Sequence, residues 1–386
     1  MAASLASIIG SAAAGVLLVL IVVGLLIWYW LHYKKLSNKN SETGSSDPSA
    51  LVEWNRGGSV SVGGPTLYGP QGARQFKIEE LDQATKQFSE TNLIGGGSFG
   101  LVYQGLLHDG TFAVVKRRSG APRQEFVEEV CYLSEIQHRN LVTLLGYCQE
   151  EGSQMLVYEY LPNDSVCSHL YDDGQESTTK LEFKQRLSIA LGAAKGLCHL
   201  HSLKPPLVHK NFRTANVLVD ENFIPKIADA GILRLLEKIE DAGPSSGATN
   251  DNAFRDPEVE ESRLLSESGD VYSFGVFLLE LVSGQDISKI SFSGPGESLI
   301  KWVDYHLGLN SLVDNRLTSN FTSEGMKDLI RLTISCLNKI GRWRPKMDMV
   351  VRELDRILEK EMTRTTVMGT GITTTVTPGS ELFTSK

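Results

Sequence analysis

Gly95, Gly97 and Gly100 fall in the order G-x-G-x-x-G, with Val102 two residues later. Glycines at that spacing let a backbone approach a phosphate group with no Cβ in the way. Dinucleotide folds share the spacing but place it between a strand and a helix. Here the glycines join β-like stretches within "LIGGGSFGLVYQGLL", the first of two β-rich runs, of which "GTFAVVKRR" is the second. A plain glycine-rich hairpin tip would carry the same letters. Lys116 closes the second run, where its amine can neutralise phosphate charge if something holds it in place. Glu129, on the amphipathic helix that follows, is the natural ion-pair partner. A solvated lysine and a surface glutamate are the ordinary alternative for such residues. The order of glycine loop, strand lysine and helix glutamate favours the phosphate reading.

Further along lie His209, Asn216 and the triplet Asp229-Ala230-Gly231. The Asp229 carboxylate and the Asn216 amide oxygen are hard ligands suited to Mg²⁺ that bridges phosphates. An isolated Asp-x-Gly is otherwise only a turn. The stretch "LVHKNFRTANVLVD" matches the H-R-D-x-x-x-x-N loop of many phosphotransferases, with one difference. Asn211 stands where the aspartate would take the proton of the attacking hydroxyl.

Those residues need elements to hold them. "FKIEELDQATKQF" has helical spacing at Phe76, Leu81, Ala84 and Phe88, and order is expected to begin near Phe76. His108-Asp109-Gly110 signals a hairpin between the two β-rich runs. "QEFVEEVCYLSEI" carries a helical stripe through Phe126, Val127, Val130, Leu133 and Ile136. "LVTLLGYC" and "QMLVYEYL" read as two more strands. Beyond Leu181 the apolar periods are helical, from "FKQRLSIALGAAKGLCHLHS" to "MDMVVRELDRILEKE". A β-rich front joined to a helical back predicts a two-lobed α+β body.

In that order the segments resemble the protein kinases, and more narrowly the plant receptor-like kinases. "FKIEELDQATKQFSETNLIGGGSFGLVYQG", "HRNLVTLLGYC", "LVYEYLPN", "AAKGLCHLH", "SGDVYSFGVFLLEL" and "RWRPKMDMV" carry the likeness, which runs from Phe76 to Leu358. The resemblance implies a bilobal kinase fold with ATP and Mg²⁺ between the lobes. It implies Lys116 paired with Glu129, and a hinge lined from Tyr158 through Tyr160 to Leu161. It further implies Asp270 bracing the loop around His209, and Glu258 paired with Arg344.

Four positions depart from the family pattern. Asn211 carries no charge and is a poor proton acceptor, so a base contribution of ~10²–10⁴ is expected to vanish. Arg213 stands in place of a lysine that contacts the transferring phosphoryl group, and its forked head is bulkier. Ala230 replaces the phenylalanine of D-F-G. "TNDNAFRDPE" replaces the usual G-T-x-G-Y-x-x-P-E, with Asp251, Ala253 and Phe254 at altered positions. The nucleotide cradle reads as complete in Gly95, Gly97, Gly100, Lys116, Glu129, Asn216 and Asp229. The expectation is a kinase homologue that binds ATP, transfers phosphate weakly or not at all, and signals through protein contacts. A low-turnover Ser/Thr kinase and a nucleotide-independent membrane scaffold are the alternatives.

Composition bounds the setting. The net charge of −8 and pI near 5.6 offer no general attraction to nucleic acid. Five dispersed cysteines without a CxxC pair read as reduced thiols of a cytosolic domain. From Ile8 to Leu31 no residue is charged, and the run is long enough to cross a hydrocarbon core of ~30 Å. Trp28, Tyr29, Trp30 and Tyr33 sit at its end, followed by Lys34, Lys35 and Lys39. The positive-inside rule then places the remainder in the cytoplasm, as a single-pass protein of the cell membrane. A cleaved signal peptide is disfavoured by the missing basic n-region. The expected division is residues 1–7 outside, 8–31 in the membrane, 32–75 as a flexible tether, 76–360 as the kinase-like domain and 361–386 as a disordered tail. Partner receptor kinases or other signalling proteins are the expected contacts. Ser245, Ser246 and Thr249 are candidate phosphate carriers, with Lys210 or Arg234 as docking cations.

Overall fold

The computed structural model describes residues 73–171, 181–240, 254–258, 266–290, 299–317 and 321–368. The expected membrane span, most of the tether, and Ser245, Ser246, Thr249, Asp251 and Ala253 lie outside these residues. Among the described residues, no helix is long and apolar enough to cross a membrane.

The front of the chain builds six strands: β1 (Arg74–Gln75), β2 (Leu93–Gly96), β3 (Leu101–Leu106), β4 (Phe112–Ser119), β5 (Leu144–Glu150) and β6 (Ser153–Glu159). They form one sheet in the order β1-β5-β6-β4-β3-β2, antiparallel except for the parallel pair β1 and β5. The β1 strand begins ahead of Phe76, where order was expected to start. Its two residues give only a short pattern to read. The hairpin between β3 and β4 turns where His108-Asp109-Gly110 predicted. The Thr111 amide donates to Asp109 Oδ1 at 2.9 Å, and Gly110 takes φ 83°.

Alternation along β4 decides which residues meet the cleft. Ala113 and Val115 are fully buried on one face, under helix α1 (Ile78–Ala84), with Phe76, Leu81, Met155 and Val157. Val114 and Lys116 take the other face. Helix α2 (Gln124–Ser134) then buries Phe126, Glu129, Val130 and Leu133. A glutamate on that stripe is the exception that matters below.

The back of the molecule is helical. Helix α4 (Phe183–Ser202), which follows the short α3 (Val166–Leu170), is buried along most of its length. After it come two short paired strands, β7 (Val217–Val219) and β8 (Pro225–Ile227). Helix α5 (Ile232–Ile239) leads to α6 (Glu267–Ser283), α7 (Leu299–Gly308), α8 (Ser323–Cys336) and α9 (Met347–Met368). Phe212, Phe274 and Phe277 form a ring cluster with centroids 5.4–5.7 Å apart under the loop that carries His209. Losing one such ring costs about 3–5 kcal/mol, so the loop rests on a stiff floor. Helix α9 continues to Met368, past the expected start of a disordered tail at 361. Its last turns include the Thr363 hydroxyl, which donates to Glu359 O at 2.8 Å.

Candidate functional site

Gly95 lies in β2, and Gly97 and Gly100 lie in the turn that leads to β3. Gly100 takes φ 147°, and any Cβ there would run into the Arg117 backbone. Gly95 and Gly97 face open space, so no packing contact within the protein requires glycine at either place. Backbone approach by an external group is the remaining physical reason for them. Val102 sits opposite Lys116 in the β3–β4 register, beneath the loop. Phe99 at the loop tip is 3% exposed and stacks toward Phe126 of α2, with ring centroids 6.5 Å apart.

Tyr158 ends the cleft at the back. It is nearly buried, and Lys116 Nζ lies 5.7 Å from its ring centroid. Burial pushes the Tyr158 phenol up, and the Asp229 charge adds to the effect. Tyr160 leans on the Phe112 ring at 5.9 Å, and Leu161 is buried. Beside them Lys226 on β8 contacts both carboxylate oxygens of Glu159 at 2.8 Å, and Glu159 Oε1 accepts the Thr143 amide at 2.7 Å.

The loop around Asn211 is built as the family resemblance implied. Asp270, on α6, accepts the backbone amides of His209 at 2.7 Å and Lys210 at 2.9 Å, and lies 2.8 Å from His201 Nε2. His209 is 1% exposed; its Nε2 donates to Ala228 O at 2.9 Å, and its Nδ1 accepts the Asn211 amide at 3.3 Å. That pair of bonds specifies a neutral ring with the proton on Nε2. Asn216 Nδ2 donates to Asn211 O at 2.9 Å, which leaves the Asn216 amide oxygen as the acceptor end. Thr214, between Arg213 and Asn216, donates its hydroxyl to Glu280 Oε2. Burial pushes the Glu280 carboxyl up to about 7. Arg213 places its guanidinium 5.8 Å over the ring of Phe254.

Two expected ion pairs are not the ones formed. Lys116 pairs with Asp229, which sits at φ 64°, rather than with Glu129. Glu129 is fully buried and pairs instead with α5: the Lys238 amine meets Oε2, and Arg234 Nε lies 3.1 Å from Oε1. The reason is positional. Helix α5 packs against α2 and brings two cations to Glu129, while the turn at Ala230-Gly231 delivers Asp229 to Lys116. Gly231, at φ 80°, has the Leu133 side chain where a Cβ would stand, so α2 and the start of α5 fit closely. The second is at Arg344, whose carboxylate partner is Asp256, at 2.5 and 2.7 Å, rather than Glu258. Lys210 Nζ holds Glu237 at 2.6 and 2.7 Å and Arg234 faces Glu129, so a phosphate at either cation would compete with a carboxylate.

Sequence reasoning passed over Glu237 and Lys238, and named Arg234 only as a cation for phosphate. The signal was present in "ILRLLEKI", where Ile232, Leu235, Leu236 and Ile239 repeat at i, i+3, i+4 and i+7 and are all buried. Its shortness, next to an Asp-x-Gly turn, hid it.

The donor set fits Mg-ATP by its chemistry. Lys116 offers a cation for phosphate, and Asp229 with the Asn216 oxygen offers hard ligands for Mg²⁺. Bound there, the metal would neutralise phosphate charge, while Gly95, Gly97 and Gly100 leave the backbone clear. The Lys116–Asp229 pair shows that each group already meets an opposite charge of the kind the nucleotide and its metal would supply.

Known proteins agree with this architecture. Residues 88–354 match the family model described as protein tyrosine and serine/threonine kinase. The chain is 36% identical to the proline-rich receptor-like protein kinase PERK8 of Arabidopsis thaliana over 324 residues, which is 81% of this chain and 46% of that protein. It is 35% identical to the probable serine/threonine-protein kinase PBL22 of Arabidopsis thaliana, over 83% of this chain and 84% of that one. The chain thus spans under half the length of PERK8, and most of PBL22. Among solved structures, the pseudokinase domain of BIR2, an immune regulator of the RLK/Pelle family, aligns with TM-score 0.62 and 30% identity. That alignment covers 74% of this chain and 86% of that one. With its bilobal fold, its glycine loop and its His209 loop braced by Asp270, the chain belongs to the protein tyrosine and serine/threonine kinase family, among relatives that are plant receptor-like kinases.

Proposed function

We propose that this chain is a membrane-anchored receptor-like kinase homologue that binds Mg-ATP, is deficient in phosphoryl transfer, and signals through protein contacts. Asn211 carries the reading. The groups that hold its loop, Asp270, His209 and Asn216, are in place. The substitution therefore removes a proton acceptor from an intact loop, and a base worth ~10²–10⁴ in rate goes with it. The uncharged run from Ile8 to Leu31 supports the anchor. That the BIR2 domain is a pseudokinase supports the deficit.

One observation favours a nucleotide-independent scaffold instead, namely that Lys116 and Asp229 already neutralise each other. A thermal-shift titration separates the two. Mg-ATP is expected to raise the melting temperature of the wild type and not of Lys116→Met, and no shift at saturating nucleotide would leave the scaffold. Autophosphorylation is expected at background in the wild type and above it in Asn211→Asp. Brisk label incorporation by the wild type that Lys116→Met abolishes would instead establish an active kinase.

A further inference from the structure

We infer that residues 339–349 dock the kinase domain on the anionic cytoplasmic face of the membrane, with Trp343 in the headgroup layer. This rests on the reading that the chain is membrane-anchored. Tryptophan is highly buried on average, yet Trp343 is 62% exposed, and Met349 at the start of α9 is 52% exposed. In the same segment Lys339, Arg342 and Lys346 are exposed as well. No carboxylate among the described residues forms an ion pair with any of the three. The Arg342 guanidinium lies 5.8 Å from the Trp343 ring centroid. Acidic groups nearby do not cancel this charge: Asp348 pairs with Arg352 at 2.8 Å, and Glu258 alone lies against Gly341. The segment keeps an excess of positive charge, while the whole chain carries −8.

The segment is held ready from beneath. Arg344, buried with Asp256, donates to Asn338 O at 2.7 Å and to Lys339 O at 3.2 Å. A single 3₁₀ turn (Gly341–Trp343) follows, and the Trp343 amide donates to Ile340 O at 3.0 Å. The Glu258 and Ser268 side chains stand where a Cβ on Gly341 would be, so the turn packs closely. Its ordering entropy is lost on folding and not again on docking. Tryptophan favours the bilayer interface, where the ring meets apolar chains and its N–H reaches water. The cytoplasmic leaflet is anionic, and each Lys or Arg near it raises the docked population about fivefold. An acidic protein segment would satisfy the same cations. The membrane is favoured because the anchor keeps it within reach. Residues 32–72 extend at most ~3.6 Å each, so docking is intramolecular and weak attractions suffice.

The test uses the full chain in nanodiscs whose brominated acyl chains quench tryptophan emission on contact. Trp28, Trp30, Trp54 and Trp302 also emit, so the difference between wild type and Trp343→Phe isolates the signal of Trp343. In discs that contain phosphatidylserine, Trp343 emission is expected to be quenched and blue-shifted. It is expected to be neither in discs of phosphatidylcholine alone, nor in 1 M salt, where the screening length is about 3 Å. Lys339→Gln, Arg342→Gln and Lys346→Gln combined should lower the ratio of docked to undocked protein on the order of a hundredfold. An unchanged melting temperature checks that this variant folds, and the salt comparison needs no variant. Unquenched Trp343 in discs that quench Trp28 and Trp30 overturns the docking and leaves the anchor intact. Discs that quench no tryptophan remove the anchor, and the docking with it. Equal quenching of Trp343 with and without phosphatidylserine overturns the inference. So does a Trp343 shift produced by soluble polyglutamate and not by phosphatidylserine, which would assign the surface to an acidic protein segment.

Discussion

Lys116 and Asp229 form an ion pair across the cleft, 113 residues apart in the chain, with both side chains largely shielded from solvent. The group proposed for phosphate and the group proposed for metal are thus each other's counter-ion. Phosphate alone must displace a carboxylate from Lys116, whereas Mg²⁺ gives that carboxylate another partner. Nucleotide affinity should therefore fall steeply when Mg²⁺ is chelated. In Asp229→Asn the competitor is gone, and the ratio of Kd with chelator to Kd with Mg²⁺ should approach one. A fluorescent-nucleotide titration measures both, and an unchanged ratio in the variant would refute the competition.

The pair of Arg344 with Asp256 is buried at 0% and 3% side-chain exposure. Arg344 also donates to the carbonyls of Asn338 at 2.7 Å and Ser268 at 2.8 Å, so it is fixed whether or not its carboxylate is present. Asp256→Ala strands a buried guanidinium and should cost roughly 3–5 kcal/mol. Glu258→Ala should cost less. Chemical denaturation of both variants decides it, and the reverse order would return the role to Glu258.

Glu280 makes stability depend on pH through the loop that holds Asn216. Its carboxyl titrates near about 7, above its ordinary 4.5, because burial disfavours the charge. Between those values the folded protein binds more protons than the unfolded chain does, so this contribution is complete below 4.5 and is lost as pH rises through 7. The loss is on the order of 3 kcal/mol. Urea denaturation at pH 5 and pH 8 should show the wild type losing stability relative to Glu280→Gln as pH rises. A relative gain would contradict the assignment.

Lys226 and Glu159 join β8 to the end of β6 at the start of the hinge. With side chains 16% and 25% exposed, the pair is partly screened, and its loss should cost only about 1 kcal/mol. Glu159 Oε1 also holds the Thr143 amide, so Glu159→Ala should destabilise more than Lys226→Met. Equal melting temperatures for the two variants would show that the Thr143 bond adds nothing.

Much of this molecule was legible from its residues in order. The order of glycine loop, strand lysine and helix glutamate was plain, and the stripe through Phe126, Val130 and Leu133 marked α2 as an amphipathic helix. The Asn211 departure is also a fact of sequence. These features are local, because a strand or helix period is written in neighbouring residues and sterics enforce it wherever the chain folds. The two-residue β1 and the last turns of α9 escaped because so short a strand has no period, and the helix runs on into threonine-rich sequence.

Ion-pair choice was decided only in three dimensions. Lys116 had Glu129 and Asp229 as candidates, Glu129 had Lys116, Arg234 and Lys238, and Arg344 had Asp256 and Glu258. Coulomb attraction acts on any opposite charge within reach, so sequence names the candidates but cannot rank them. The ranking came from the seating of α5 against α2 and the turn at Gly231, which carry Asp229 to Lys116 and two cations to Glu129. Sequence determined which charges this protein owns, and tertiary packing determined which of them meet.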